Sequence, residues 1–134
     1  MTLVFNSTDS LILFAISIGQ GKFKKGTTLT DIIFTGDAFD RTIFSYGELE
    51  SSFQKLLTIK LIKIENEKVY LTKEFKLEEK LNCKKTSSAQ KTIEEFKKLL
   101  QKYNNTETDK LADLPQGFLT DDTLDIAIKT YRLK

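Results

Sequence analysis

Phe44-Ser45-Tyr46-Gly47-Glu48-Leu49 marks the start of a helix in two ways. Ser45 and Glu48 have the S-x-x-E spacing of a capping box, in which each side chain accepts the backbone amide of the other residue. Phe44 and Leu49 flank that box at the positions where two apolar side chains clasp across the first turn. The helix is predicted to run to about Thr58. Advancing about 100° per residue from Leu49, the core face holds Leu49, Phe53, Leu56 and Leu57. Gly47, Ser51, Gln54, Lys55 and Thr58 point away from it.

Downstream, Leu61-Ile62-Lys63-Ile64 and Val69-Tyr70-Leu71-Thr72 alternate in the manner of a hairpin reaching to about Phe75. With Asn66-Glu67 as the turn, Ile64 pairs with Val69 and Ile62 with Leu71 on one face. Asn-Glu is not the favoured Asn-Gly turn, which leaves a four-residue loop as the alternative. Upstream, Ser7 to Ser10 offer caps for a buried helix through Leu11–Ile18, with Gly19 as its stop. Thr28 and Asp31 then open a second helix, which Gly36 is expected to interrupt.

Beyond Phe75, Lys76–Lys85 reads as a short charged helix. Ser87-Ser88-Ala89-Gln90 gives a capping box for a helix from Ser88 to about Tyr103, and Pro115-Gln116-Gly117 reads as a turn. Thr120-Asp121-Asp122 with Lys129 and Arg132 matches the helix dipole at both ends, predicting a last helix from Asp121 to Arg132 with a strand as the alternative.

At 134 residues the chain is expected to form one domain. Its net charge of +2 neither demands nor excludes a nucleic-acid partner. Residues 45–75 carry five Lys/Arg against five Asp/Glu, and residues 76–102 eight against four, so the basic surplus lies beyond the opening stretch. The single Cys83 precludes an internal disulfide. Lys84 and Lys85 beside it favour a lowered thiol pKa, but with no His in the chain to act as its base a plain reduced thiol is expected.

Leu11–Ile18 is too short to span a bilayer and lacks the leader and cleavage pattern of a signal peptide, so a cytoplasmic protein with no membrane partner is expected. Gly21 and Gly26 have the glycine spacing of a phosphate-binding loop, but Thr27 stands where the essential Lys belongs. Asp31, Asp37 and Asp40 lack the spacing of a calcium loop. No cofactor, metal or catalytic residue is therefore assigned.

The order helix, helix, capped helix, hairpin over residues 10–75 resembles the winged helix-turn-helix family. The pattern Leu49, Leu56-Leu57, Leu61-Ile62, Val69-Tyr70-Leu71-Thr72 is similar to that family's third helix and wing. The resemblance implies an α+β, helix-rich fold: a winged-helix core of three helices plus a β-hairpin wing over residues 1–75. Residues 76–134 are then a C-terminal helical extension, packed on the core as one domain or forming a dimer interface.

In DNA-binding members of the family the third helix enters the major groove and the wing lies near the backbone or minor groove. Carried onto this chain, Ser51, Gln54 and Lys55 become the candidates for reading bases, with Lys63 and Lys68 near the wing. Gln54 suits adenine, and Lys55 suits guanine or phosphate. The expected function is a small, non-catalytic regulator of transcription that binds double-stranded DNA. The alternative is a protein–protein interaction module on the same scaffold, since Glu65 and Glu67 make the wing tip acidic and DNA affinity comes largely from phosphate neutralisation. Ile93, Phe96, Leu100 and Tyr103 share a helical arc that either forms a homodimer contact or covers the core of its own chain.

Overall fold

The computed structural model describes residues 1–20, 25–83 and 88–133. Its elements are α1 (Ser7–Gln20), α2 (Leu29–Asp40), α3 (Tyr46–Thr58), β1 (Ile62–Glu65), β2 (Lys68–Leu71), α4 (Lys73–Asn82), α5 (Ala89–Gln101) and α6 (Asp121–Arg132). This is a helix-rich α+β fold with a two-stranded antiparallel hairpin after three helices and further helices behind it. It is compatible with the predicted core and extension.

Helix starts follow local chemistry. Ser45 and Glu48 close both bonds of the capping box, at 3.2 and 3.0 Å, with Phe44 and Leu49 buried on either side. Thr28 and Asp31 do the same for α2, and Thr120 caps α6 over the span predicted from its charges. The start of α1 differs from expectation. Asn6 and Asp9 exchange side-chain to backbone bonds, so the cap lies just ahead of the Ser7–Ser10 run. For α5 the hydroxyl that accepts the Lys91 amide belongs to Ser88, while Ser87 lies outside the described residues.

Neither glycine expected to stop a helix does so. α1 continues through Gly19 to Gln20, and α2 continues through Gly36 to Asp40. Both are sites of close approach. A Cβ on Gly19 would stand 2.5 Å from the Thr27 side chain, and one on Gly36 would stand 2.6 Å from the Phe44 ring.

The hairpin takes the predicted register, Ile62 opposite Leu71 and Ile64 opposite Val69. Its turn has two residues, Asn66 and Glu67, with φ of 51° and 64°, so their backbones adopt the left-handed conformation that suits the twist of a tight hairpin despite the missing glycine. Thr27 bridges the outer edge of β2, exchanging two 2.8 Å backbone bonds with Val69. Gln20 Oε1 accepts the Leu71 amide on the same edge.

α4 begins at Lys73, capped by the Thr72 hydroxyl, so Phe75 belongs to this helix and not to the end of the hairpin. The boundary drawn at residue 75 therefore falls inside an element. α5 lies along α1, and α6 lies along α2. One buried cluster runs from Leu3 and Phe5 through all three first helices to Phe96, Phe118 and Ala127. Each fully buried Phe in it, such as Phe44 or Phe53, contributes about 2–3 kcal/mol. No described helix is long and apolar enough to cross a membrane.

Candidate functional site

The outward strip of α3 is the surface that the sequence singles out. Ser51 stands exposed on it, Gly47 is exposed beside it, and Gln54 is half-buried. A shallow notch of about 270 Å³ adjoins Ser51, lined by Asn6, Thr8, Gly47 and Glu48 with Asp9 and Ser52 beneath.

Lys55 is not on this strip. It is only 9% exposed, and its ammonium meets Asp9 Oδ2 at 2.6 Å and the Val4 carbonyl at 3.0 Å. The Ser52 hydroxyl donates to the other Asp9 oxygen at 2.6 Å, and the Asn6 amide donates to Oδ2. The Lys55 ammonium also lies 5.3 Å from the centre of the Phe5 ring. The expected outward placement of Lys55 is thus corrected. The helical projection puts it on the polar side, but residues 1–6 fold over that side and enclose it. They are held there by backbone bonds from Leu3 to Thr106 and from Asn105 to Leu3.

The opposite flank of α3 is covered too. Ala112 donates its amide to Thr58 Oγ1 at 2.9 Å, Phe118 packs edge-on against Phe53 at 5.5 Å, and Tyr46 donates to the Leu119 carbonyl at 3.3 Å. Residues 112–119 therefore run antiparallel to α3 from its end to its beginning. Carboxylates gather where they finish: burial first, then Glu50 and Asp121, push the Tyr46 hydroxyl pKa up.

Lys63 and Lys68 lie on the outward face of the hairpin, each directly opposite a residue of the other strand, Tyr70 and Glu65. Lys63 reaches over the Tyr70 ring at 5.7 Å and pairs with Glu65 at 3.6 Å, so part of its charge is already matched. Of the glycine-spaced stretch from Gly21 to Gly26, Gly21, Lys22, Phe23 and Lys24 lie outside the described residues. Gly26 brings the chain onto Tyr70 and Lys68: its own φ is 72°, and a Cβ there would stand 2.7 Å from the Tyr70 ring. The structure thus brings Lys63 and Lys68 together on the hairpin and Ser51 with Gln54 on α3, and it removes Lys55 from both.

The arc on α5 is also accounted for within the chain. Phe96 and Leu100 are each 1% exposed, and Ile93 and Tyr103 pack against the same core. Phe96 and Leu100 fit the reading in which the arc covers its own core. Phe96 and Leu100 therefore have no apolar surface left for a second copy, while Ile93 and Tyr103 stay partly exposed at the edge of the same core.

The acidic side chains of α2 have structural partners. Asp31 closes a capping box, Asp37 accepts from the Tyr131 hydroxyl, and Asp40 accepts from Thr42. The Thr27 hydroxyl, beside the phosphate-loop glycine, is buried and donates to the Ile16 carbonyl. Burial, with Glu95 and Glu79, pushes the Cys83 thiol up to about 11, the reverse of the direction its lysine neighbours favour in the sequence. Lys84 and Lys85 themselves lie outside the described residues.

Sequence reasoning missed the Asp9–Ser52–Lys55 cluster. Its one local signal was the Asn6-x-x-Asp9 spacing ahead of an apolar run. Compared with protein-family models, with curated proteins and with solved structures, the chain matches none.

Proposed function

We propose that the chain is a non-catalytic module on a winged-helix scaffold that works by docking another protein on the exposed strip of α3. The observation that carries this reading is the covering of α3 on both flanks, by residues 1–6 and by residues 112–119. A helix that reads the major groove needs a wide free face and cations to meet phosphate. Here the free strip is Gly47, Ser51 and part of Gln54, with Glu48 and Glu50 beside it and Lys55 bound inward. Such a strip, with a notch at Ser51, suits the side chains and backbone of a protein surface.

Binding of double-stranded DNA, as a regulator of transcription, is the second reading. Lys63 and Lys68 on one face of the hairpin favour it.

Titration with random-sequence duplex DNA separates the two. The expected result is no binding at about 50 mM salt, where a protein matching several phosphates binds well. Salt-sensitive binding that is lost in the triple variant Gln54→Ala, Lys63→Ala, Lys68→Ala establishes the second reading instead. In parallel, a nuclease-treated lysate passed over the immobilised chain is expected to yield a stoichiometric protein that the Ser51→Arg variant fails to retain. Equal retention by the variant counts against the α3 strip.

A further inference from the structure

The exposed strip of α3 has an acid on either side. At about 100° per residue from Gly47, Ser51 falls at about 40° and Glu48 at about 100° in one direction, and Glu50 at about 60° in the other. Past Glu50 stands Asp121. Tyr46 lies between them, its hydroxyl pKa raised by burial and then by these two carboxylates. Past Glu48 a cleft of about 280 Å³ opens between α1, α2 and α5. It shares Thr8 and Glu48 with the notch at Ser51, so notch and cleft form one continuous groove.

The cleft is apolar below and acidic above. Buried Leu11 and Phe44 floor it with half-buried Ile93, and Phe39, 44% exposed, stands at its edge. Asp40, Glu48, Glu94 and Lys97 are the charged residues that line it. Glu48 and Asp40 each use one carboxylate oxygen within the chain, on the Ser45 amide and the Thr42 hydroxyl. Glu94 and Lys97 form no ion pair among the described residues. Asp121, Glu50, Glu48, Asp40 and Glu94 thus border the strip and groove, against the single ammonium of Lys97. Helix ends offset little of this. The first turns of α1, α3 and α5 contribute about half a positive charge each and the last turn of α2 about half a negative one, which leaves a surplus of about three negative charges.

We propose that the protein docked on α3 presents a basic segment to this groove, with an arginine side chain seated in the cleft. This rests on the α3 docking reading and names the chemistry of its partner. The arginine stem lies along Leu11, Phe44 and Ile93 while its head stays at the mouth. There the planar guanidinium stacks on the Phe39 ring and donates to the carboxylates with its fork of N–H groups. A lysine has the stem but neither the plane nor the fork. A phosphate-bearing or acidic partner meets like charge and is rejected.

Fluorescence anisotropy of labelled nona-arginine, titrated with the full chain at about 50 mM salt, tests the proposal. Saturable binding is expected with a dissociation constant of about 10–100 µM, weakening as salt rises. The chain as a whole carries +2, so only a local field attracts a polycation. Glu94→Lys is expected to weaken binding about fivefold and Lys97→Glu to strengthen it about fivefold. Glu74→Lys makes the same charge change outside the groove, on α4, and is expected to alter nothing. Nona-lysine is expected to bind about threefold more weakly than nona-arginine. No binding, equal weakening by Glu94→Lys and Glu74→Lys, indifference to Lys97→Glu, or nona-lysine bound as tightly overturns the proposal. Lysate capture with Ser51→Arg decides the α3 strip by itself, so the docking face and the partner's chemistry fail separately. Circular dichroism of each variant confirms that the changes leave the fold intact.

Discussion

Asp9, in α1, reaches two other parts of the chain through one carboxylate: residues 1–6 through the Asn6 amide, and α3 through the Ser52 hydroxyl and the Lys55 ammonium. Removing one member of a buried ion pair costs more than the pair contributes, because the other charge stays without its counterion. Asp9→Ala is therefore expected to lower stability by about 3–5 kcal/mol in urea unfolding. Lys55→Met is expected to cost less, since Asp9 keeps Ser52 and Asn6. At Cys83 the direction of the pKa shift sets reactivity. With its pKa raised from 9.0 to about 11 by burial and Glu95, the thiol is protonated at neutral pH. Alkylation by iodoacetamide is expected to be slow at pH 8 and to accelerate as pH rises toward 11. Unfolding the chain lowers this pKa, so the stability linked to the thiol is complete below about pH 9 and is lost as pH rises through about 11. A thiol in the folded chain that reacts at the rate of a free one at pH 8 contradicts the burial.

Among the elements, Gly36 gives the clearest conflict between propensity and packing. Alanine is better than glycine inside a helix by about 1 kcal/mol. Yet the added Cβ meets the Phe44 ring at 2.6 Å and the Thr42 carbonyl at 2.9 Å, and the carbonyl belongs to backbone that yields little. Gly36→Ala is expected to lower the melting temperature, with a cost of about 1–3 kcal/mol for the overpacking; a rise would show that α2 is free to move away from Phe44. The same position shows what the sequence makes legible. The caps of α2, α3 and α6 depend on neighbours within about four residues and the hairpin register on a stretch of about ten, and these are legible in the sequence. Gly36 looks like a stop in the sequence because the ring that requires it, that of Phe44, comes eight residues later. The projection of α3 places Lys55 on the exposed side because residues 1–6, which enclose it, carry no helical or strand period. The Ser51 and Gln54 strip followed from the projection of α3 alone, whereas its narrowing by residues 112–119 depends on a segment more than fifty residues downstream.

In the whole molecule, the sections before and after residue 75 share one core, and α4 crosses the boundary between them. Urea unfolding is therefore expected to be a single transition, with hydrogen-exchange protection of α3 and α6 lost together. An α6 that melts at lower urea than α3 contradicts that sharing. Phe118→Ala, which removes the ring against Phe53, is expected to shift the whole transition by about 3–5 kcal/mol. The ties that close the molecule connect residues far apart in sequence: Thr2 to Glu107, Asp37 to Tyr131, Tyr46 to Leu119. Contacts of such long separation slow folding, because the loops they close must be ordered before the contacts stabilise anything. The segment that covers α3 also emerges from the ribosome about sixty residues after the helix itself. During synthesis α3 stands bare, with Phe53 open to the cell, for the several seconds that those residues take to be made. The covering of α3 is thus expected to make the unfinished chain the form of this protein most prone to aggregate.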